Sequence, residues 1–325
     1  MPKVLVTEDA LAAIHAIRQS PENRDLKQDL APFLRHKSNH AVAAAAGAAE
    51  HLEASALAPD LAQAFERLMR DPAKLDPGCK ATIAIVQALI QLEDPAARVY
   101  FAGVRHVQME GSFGPKVDAA APLRGLCARG LARMGHPGAL LECVTLLADP
   151  EIAARTGAVR AIADAGRAEG VLLLRLKALL GDKEIDVLGE CLGALLSLDP
   201  ADSVEFVAKF LNSKTEGLGE QAALALGESR LPAAFEVLRE AWESGGVAEQ
   251  RRTLLVAIAM LRIDEALEFL LSRLGEESGP VAADALAGLA FYARDEAVLA
   301  RVEGIIRERG DDALETVFAR EFART

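Results

Sequence analysis

EQAALALGESRLPAAFEVL, residues 220–238, reads as two helices broken by a turn. In its first half Ala222, Ala225 and Leu226 lie seven, four and three residues before Ser229. Those spacings put all three on one helical face. Pro232 follows the turn, and proline suits a first helical turn because its missing N–H is not needed there. Phe235 and Leu238 then mark the apolar face of a second helix.

Working outward, the same grammar recurs. Taking Ser229 as an anchor, its counterparts are Leu52, Leu92, Met134, Ala165, Leu198, Leu261 and Tyr292. Successive anchors are 40, 42, 31, 33, 31, 32 and 31 residues apart. A period near 32 is the mark of a helical-repeat array. The column four before the anchor is always Ala or Gly: Ala48, Ala88, Gly130, Ala161, Ala194, Ala225, Ala257 and Gly288. A larger side chain at such a column would force neighbouring helices apart. Six and nine residues past the anchor, Leu140, Val204, Phe235 and Val298, with Cys143, Leu174, Val207 and Leu238, read as the buried face of the second helices. Asp149, Asp182 and Ser213 stand at equivalent junctions and are expected as helix N-caps.

Composition agrees. Apolar residues make up 51% of the 325 and aromatics only 4%, so the apolar mass is largely Ala and Leu, which favour helix. The expectation is an all-α fold, a right-handed α-α superhelix or solenoid of about eight helical hairpins. Residues 1–36 read as an N-terminal cap with helices near 11–18 and 25–35, continuous with the array over 37–325 as one structural unit.

Stretches such as DPEIAARTGAVRAIADAG (149–166) and the opening segment resemble the HEAT-like repeat family, including its phycobilisome-lyase type. The resemblance covers roughly 38–310. It implies the superhelical fold strongly and function weakly, because the family spans scaffolds, transport receptors, chromophore lyases and a DNA glycosylase group.

Function is expected where the pattern is interrupted. The two long spacings place insertions at 70–79 and 107–122, and insertions in repeat proteins map to loops, often on a binding face. The second brings His106, Glu110 and Phe113 forward as partner contacts, or as a plain surface loop. The other expectation concerns the second helices. Offsets seven and eleven past the anchor point away from the buried face. They hold Leu141, Leu172 and Leu176 in the middle of the chain and Glu205, Glu236, Glu240 and Glu268 further on. In HEAT-like arrays these helices generally line the concave side, so the inner surface is expected to be apolar and then acidic. One residue of phase error would instead turn the leucines into the core.

The formal charge of −12 and the scarcity of Trp and Tyr weigh against a nucleic-acid groove. No run of about 18 apolar residues suggests a membrane span, and the N-terminus lacks the apolar core of a secretory signal. Four cysteines without a CxxC pair point to reduced thiols in the cytoplasm, with Cys79 the one thiol expected to be exposed. His36 and His40 are four apart and could share a helical face, with His51 further on, but a metal site would need a third ligand and a second shell, so solvent-facing histidines are expected. No HExxH, P-loop or GxSxG motif occurs. The reading is a non-catalytic scaffold or adaptor without cofactor or metal. Its partner is a protein, with a basic segment as one form. The alternatives are a HEAT-like chromophore lyase or lyase accessory, and a glycosylase-like nucleic-acid protein.

Overall fold

The computed structural model describes residues 6–22, 25–111, 114–245 and 248–322, the side chains of 248 and 249 excepted. Two compact units divide the chain, Met1–Gly170 and Val171–Thr325.

The first unit opens with α1 (Thr7–Gln19) and α2 (Leu26–Leu34), both packed on α3 (Asn39–His51). Asp25 caps α2, its carboxylate accepting the Gln28 N–H at 3.1 Å. Then follow α4 (Ala58–Leu68), the single turn α5 (Pro72–Leu75), α6 (Lys80–Gln91) and α7 (Ala97–Val104). A short antiparallel hairpin, β1 (Met109–Glu110) with β2 (Val117–Asp118), precedes α8 (Ala121–Arg133), α9 (Ala139–Leu147) and α10 (Ile152–Ala165). Helices α3, α6, α8 and α10 pack in sequence as one layer. The hairpin partners α4, α7 and α9 form the other.

The small-residue column explains the close layer. A Cβ at Gly130 would come 2.6 Å from the Tyr100 ring, which is itself fully buried. The Tyr100 hydroxyl escapes as a polar burden by donating to the Asp94 carbonyl at 3.1 Å.

The second unit contains α11 (Ala168–Leu180) from residue 171 onward, then α12 (Ile185–Leu198), α13 (Pro200–Ala208), α14 (Leu218–Ser229), α15 (Ala233–Glu243), α16 (Ala248–Met260), α17 (Asp264–Glu276), α18 (Gly279–Leu289), α19 (Glu296–Arg309) and α20 (Asp312–Phe322). Here α12, α14, α16, α18 and α20 stack as the first layer. Every anchor falls within one residue of the end of a first helix, or, for Tyr292, at the end of the 3-10 turn that extends α18. The expected period is therefore the period of the fold. Buried Leu192, Leu195, Leu226, Ile258 and Leu289 form the core against Leu238 and Leu270 of the second helices.

Two expectations need correction. Asp149, Asp182 and Ser213 do not cap helices. Each side chain accepts the N–H two residues on, at 2.9, 2.9 and 3.1 Å, closing a turn just ahead of the helix. Cys79 is not an exposed thiol. It is 1% exposed, at the end of the 3-10 turn that leads into α6. Burial first, and then Asp76, Glu110 and Asp118 nearby, push its thiol up to about 12.

Candidate functional site

In the second unit the second helices lie side by side, each tied to the next. Arg175 of α11 donates to the Asp202 carbonyl at the start of α13 at 2.8 Å and stacks 4.9 Å over the Phe206 ring. Phe235 of α15 meets Phe269 of α17 edge to face, with centroids 6.0 Å apart. Arg301 of α19 grips Glu268 of α17 with two bonds of 2.6 and 2.7 Å. At offsets six and nine past the anchors Val204, Val207, Leu238 and Leu270 are buried, Arg301 of the last hairpin being the exposed exception. Offsets seven and eleven consequently face water.

Helix α11 is the outlier. Leu174 and Ala178 bury one side. Leu172, Leu176, Leu179 and Leu180, spaced i, i+4, i+7 and i+8, line the other at 70, 54, 69 and 76% exposure. A helix apolar on both sides normally sits inside a core. Leu179 and Leu180 escaped the repeat-column reading because they lie beyond offset eleven. The i+7 and i+8 spacing from Leu172 was the signal that would have found them.

Past α11 the same face turns acidic. Glu205, Glu236, Glu240 and Glu268 are all exposed. They are not equivalent, however. Glu236 pairs with Arg239 one turn along α15. The Arg301 hydrogen bonds hold the Glu268 carboxyl below the usual carboxylate range. Glu205 and Glu240 have no ion pair among the described residues. The sequence reading treated these four as one ladder and missed both arginines. Arg239 was visible at i+3 from Glu236, whereas Arg301 requires the packing of α19 on α17.

In the first unit Leu141 of α9 is 72% exposed and Val144, one turn on, 46%, while Leu140 and Cys143 are buried. The second insertion is a pinned hairpin instead of an open loop. Both Glu110 carboxylate oxygens accept the Gly78 N–H, each at 3.0 Å. Gln108 donates to the Asp76 carbonyl at 3.1 Å and contacts the His106 ring at 2.9 Å. The two insertions are thus fastened to each other. His106 and Glu110 take part in this fastening, and the outward side chains are Val107, Met109 and Val117. Phe113 lies outside the described residues.

No group of three or more His, Cys, Asp or Glu among the described residues is placed to hold a metal ion. No described helix is long and apolar enough to cross a membrane.

Residues 172–259 match the family model for HEAT repeats. The matched segment runs from the exposed leucines of α11 into α16 and takes in Glu205 and Glu240. None of the curated proteins compared matches the chain. Among solved structures, the complex of CpcE and CpcF of phycocyanin lyase from Nostoc sp. PCC7120 is 17% identical, covering 75% of this chain and 94% of that one at a TM-score of 0.39. An engineered protein is 15% identical, covering 98 and 93% at 0.41. Human deoxyhypusine hydroxylase in complex with glycerol is 19% identical, covering 76 and 99% at 0.28.

Proposed function

We propose that this protein is a non-catalytic cytoplasmic scaffold that binds a partner protein along the outward face of its second helices. The observation that carries the reading is α11, with four leucines in one stripe facing water. Fully burying a leucine contributes about 1.5–3 kcal/mol. Since these four are half to three-quarters exposed, covering them is worth on the order of 5 kcal/mol. An apolar stripe flanked by charge is the usual make-up of a protein-binding patch. Glu205 and Glu240, with no ion pair among the described residues, favour a partner with a basic segment, and Glu236 and Glu268 extend the acidic side. In the first unit Leu141 with Val144, and His106, Glu110 and Phe113 of the second insertion, are further partner contacts in this reading.

The test is affinity capture from the source organism with wild type and a Leu172→Glu, Leu176→Glu variant, followed by calorimetry on the purified pair. The expected result is a stoichiometric partner that the folded variant loses, binding the wild type with a negative heat-capacity change. A partner held equally by the variant, or none held by the wild type, refutes the reading.

A further inference from the structure

We infer that the occupant of the α11 leucine stripe is a cationic amphipathic α-helix. The inference rests on the docking reading above and specifies the partner's chemistry.

The first argument concerns the backbone. The wall formed by α11, α13 and α15 is helical, so its N–H and C=O groups are already paired within each helix. It offers no sheet edge. An extended segment laid over the leucines would bury its own peptide groups unpaired, at about 1–3 kcal/mol for each. A helix arrives with its backbone already satisfied.

The second argument is spacing. Leu172, Leu176, Leu179 and Leu180 run along one side of α11 for about 12 Å, or just over two turns. That is the ridge a second helix meets with its own i, i+4, i+7 residues.

The third argument is charge, and it decides between a second copy and a foreign partner. Residues 171–325 hold 28 acidic and 17 basic side chains, so this half carries eleven of the twelve net negative charges. Two such surfaces repel, which disfavours pairing of one α11 with another. A cationic helix is attracted instead. Lys209 is an exposed cation at the C-terminal end of α13, while Arg239 and Arg301 are engaged by Glu236, Glu243 and Glu268. Glu205 and Glu240 remain for the lysines or arginines on the flank of the incoming helix.

The experiment uses the full chain and three labelled synthetic peptides of about 16 residues, long enough to reach measurable helicity. One presents a leucine stripe flanked by lysine, one has the same composition with two prolines within the stripe, and one has glutamate in place of lysine. Fluorescence anisotropy is read with the wild type, with Leu172→Asp, Leu176→Asp, and with Glu205→Lys, Glu240→Lys, and circular dichroism confirms that each variant is folded. We expect the cationic helical peptide to bind the wild type at least tenfold more tightly than either of the others. The leucine variant should lose at least tenfold, and the charge variant should lose severalfold along with most of the salt dependence. Equal binding of the proline-broken peptide overturns the helical occupant, and equal binding of the acidic peptide overturns the cationic one. A wild-type dimer in sedimentation that Leu172→Asp dissolves makes a second copy the occupant and overturns both. If no peptide binds while the captured partner still requires Leu172 and Leu176, the helix inference fails and the scaffold reading stands. If the captured partner ignores those leucines, the scaffold reading itself fails.

Discussion

Arg124 is 3% exposed and makes four hydrogen bonds. It meets Asp149 with two bonds of 2.9 and 3.0 Å, Asp118 with one of 2.6 Å and the His106 carbonyl with one of 2.8 Å. It therefore clamps the hairpin base to α8 and to the turn before α10. Removing one partner of a buried pair strands the other charge, so Arg124→Met should cost about 3 kcal/mol or more in urea unfolding. Asp118 supplies the matching pH signature. Burial alone would raise its carboxyl, but the Gln108 N–H, the Arg124 guanidinium and the Ala120 N–H more than offset that and hold it below its ordinary value. A depressed carboxyl stabilises the fold at neutral pH and stops doing so as pH falls through its folded value. The urea midpoint should thus drop as pH is lowered from about 5, since the unfolded carboxyl titrates near 3.9. Asp118→Asn should flatten that acid limb, and an unchanged limb would show that other carboxylates set it. None of this was legible beforehand, because a buried arginine reads like any other until its acceptors, 6 and 25 residues away in sequence, are seen to converge.

At the scale of the element, close approach of helices makes a sharper test. A Cβ at Gly125 would lie 2.8 Å from the Gly157 Cα, so α8 and α10 touch backbone to backbone. In an open helix, glycine to alanine gains about 1 kcal/mol. Here overpacking costs about 1–3 kcal/mol, so the sign reverses. Gly157→Ala should lower the melting temperature, whereas alanine at Gly193, which has nothing within 4 Å of a new Cβ, should raise it. The alignment of small residues exposed part of this, since Gly130 belongs to its invariant column, but Gly125 and Gly157 fall outside that column. The helices themselves were legible because a 32-residue period repeats the same evidence many times. The β1–β2 hairpin was not, because two-residue strands carry no alternation to read. The N-caps were misplaced, by two residues at Asp149 and Asp182 and by four at Ser213, because Asp and Ser can bond the backbone in a turn as readily as at a helix start.

For the whole molecule, the uneven charge has a kinetic consequence. Residues 1–170 are close to neutral and 171–325 carry almost the entire deficit. Attraction of a cationic partner to such a field acts on the approach more than on the lifetime of the complex. Raising salt from about 50 to 500 mM should slow association at least tenfold in stopped-flow mixing, as the Debye length shortens from about 14 to 4 Å. Dissociation should change little, because covered leucines are insensitive to screening. An equal effect on both rates would mean that the charges lie inside the contact.

The leucine stripe of α11 also bears on how much of the protein a cell keeps. A newly made copy shows the same sticky ridge that quality-control machinery reads as damage. Covered, the ridge disappears; left bare, it marks the copy for holding or destruction. Under the proposed reading, supply of the partner would then meter the abundance of this protein, with surplus copies cleared and the two kept in step without any regulator of transcription.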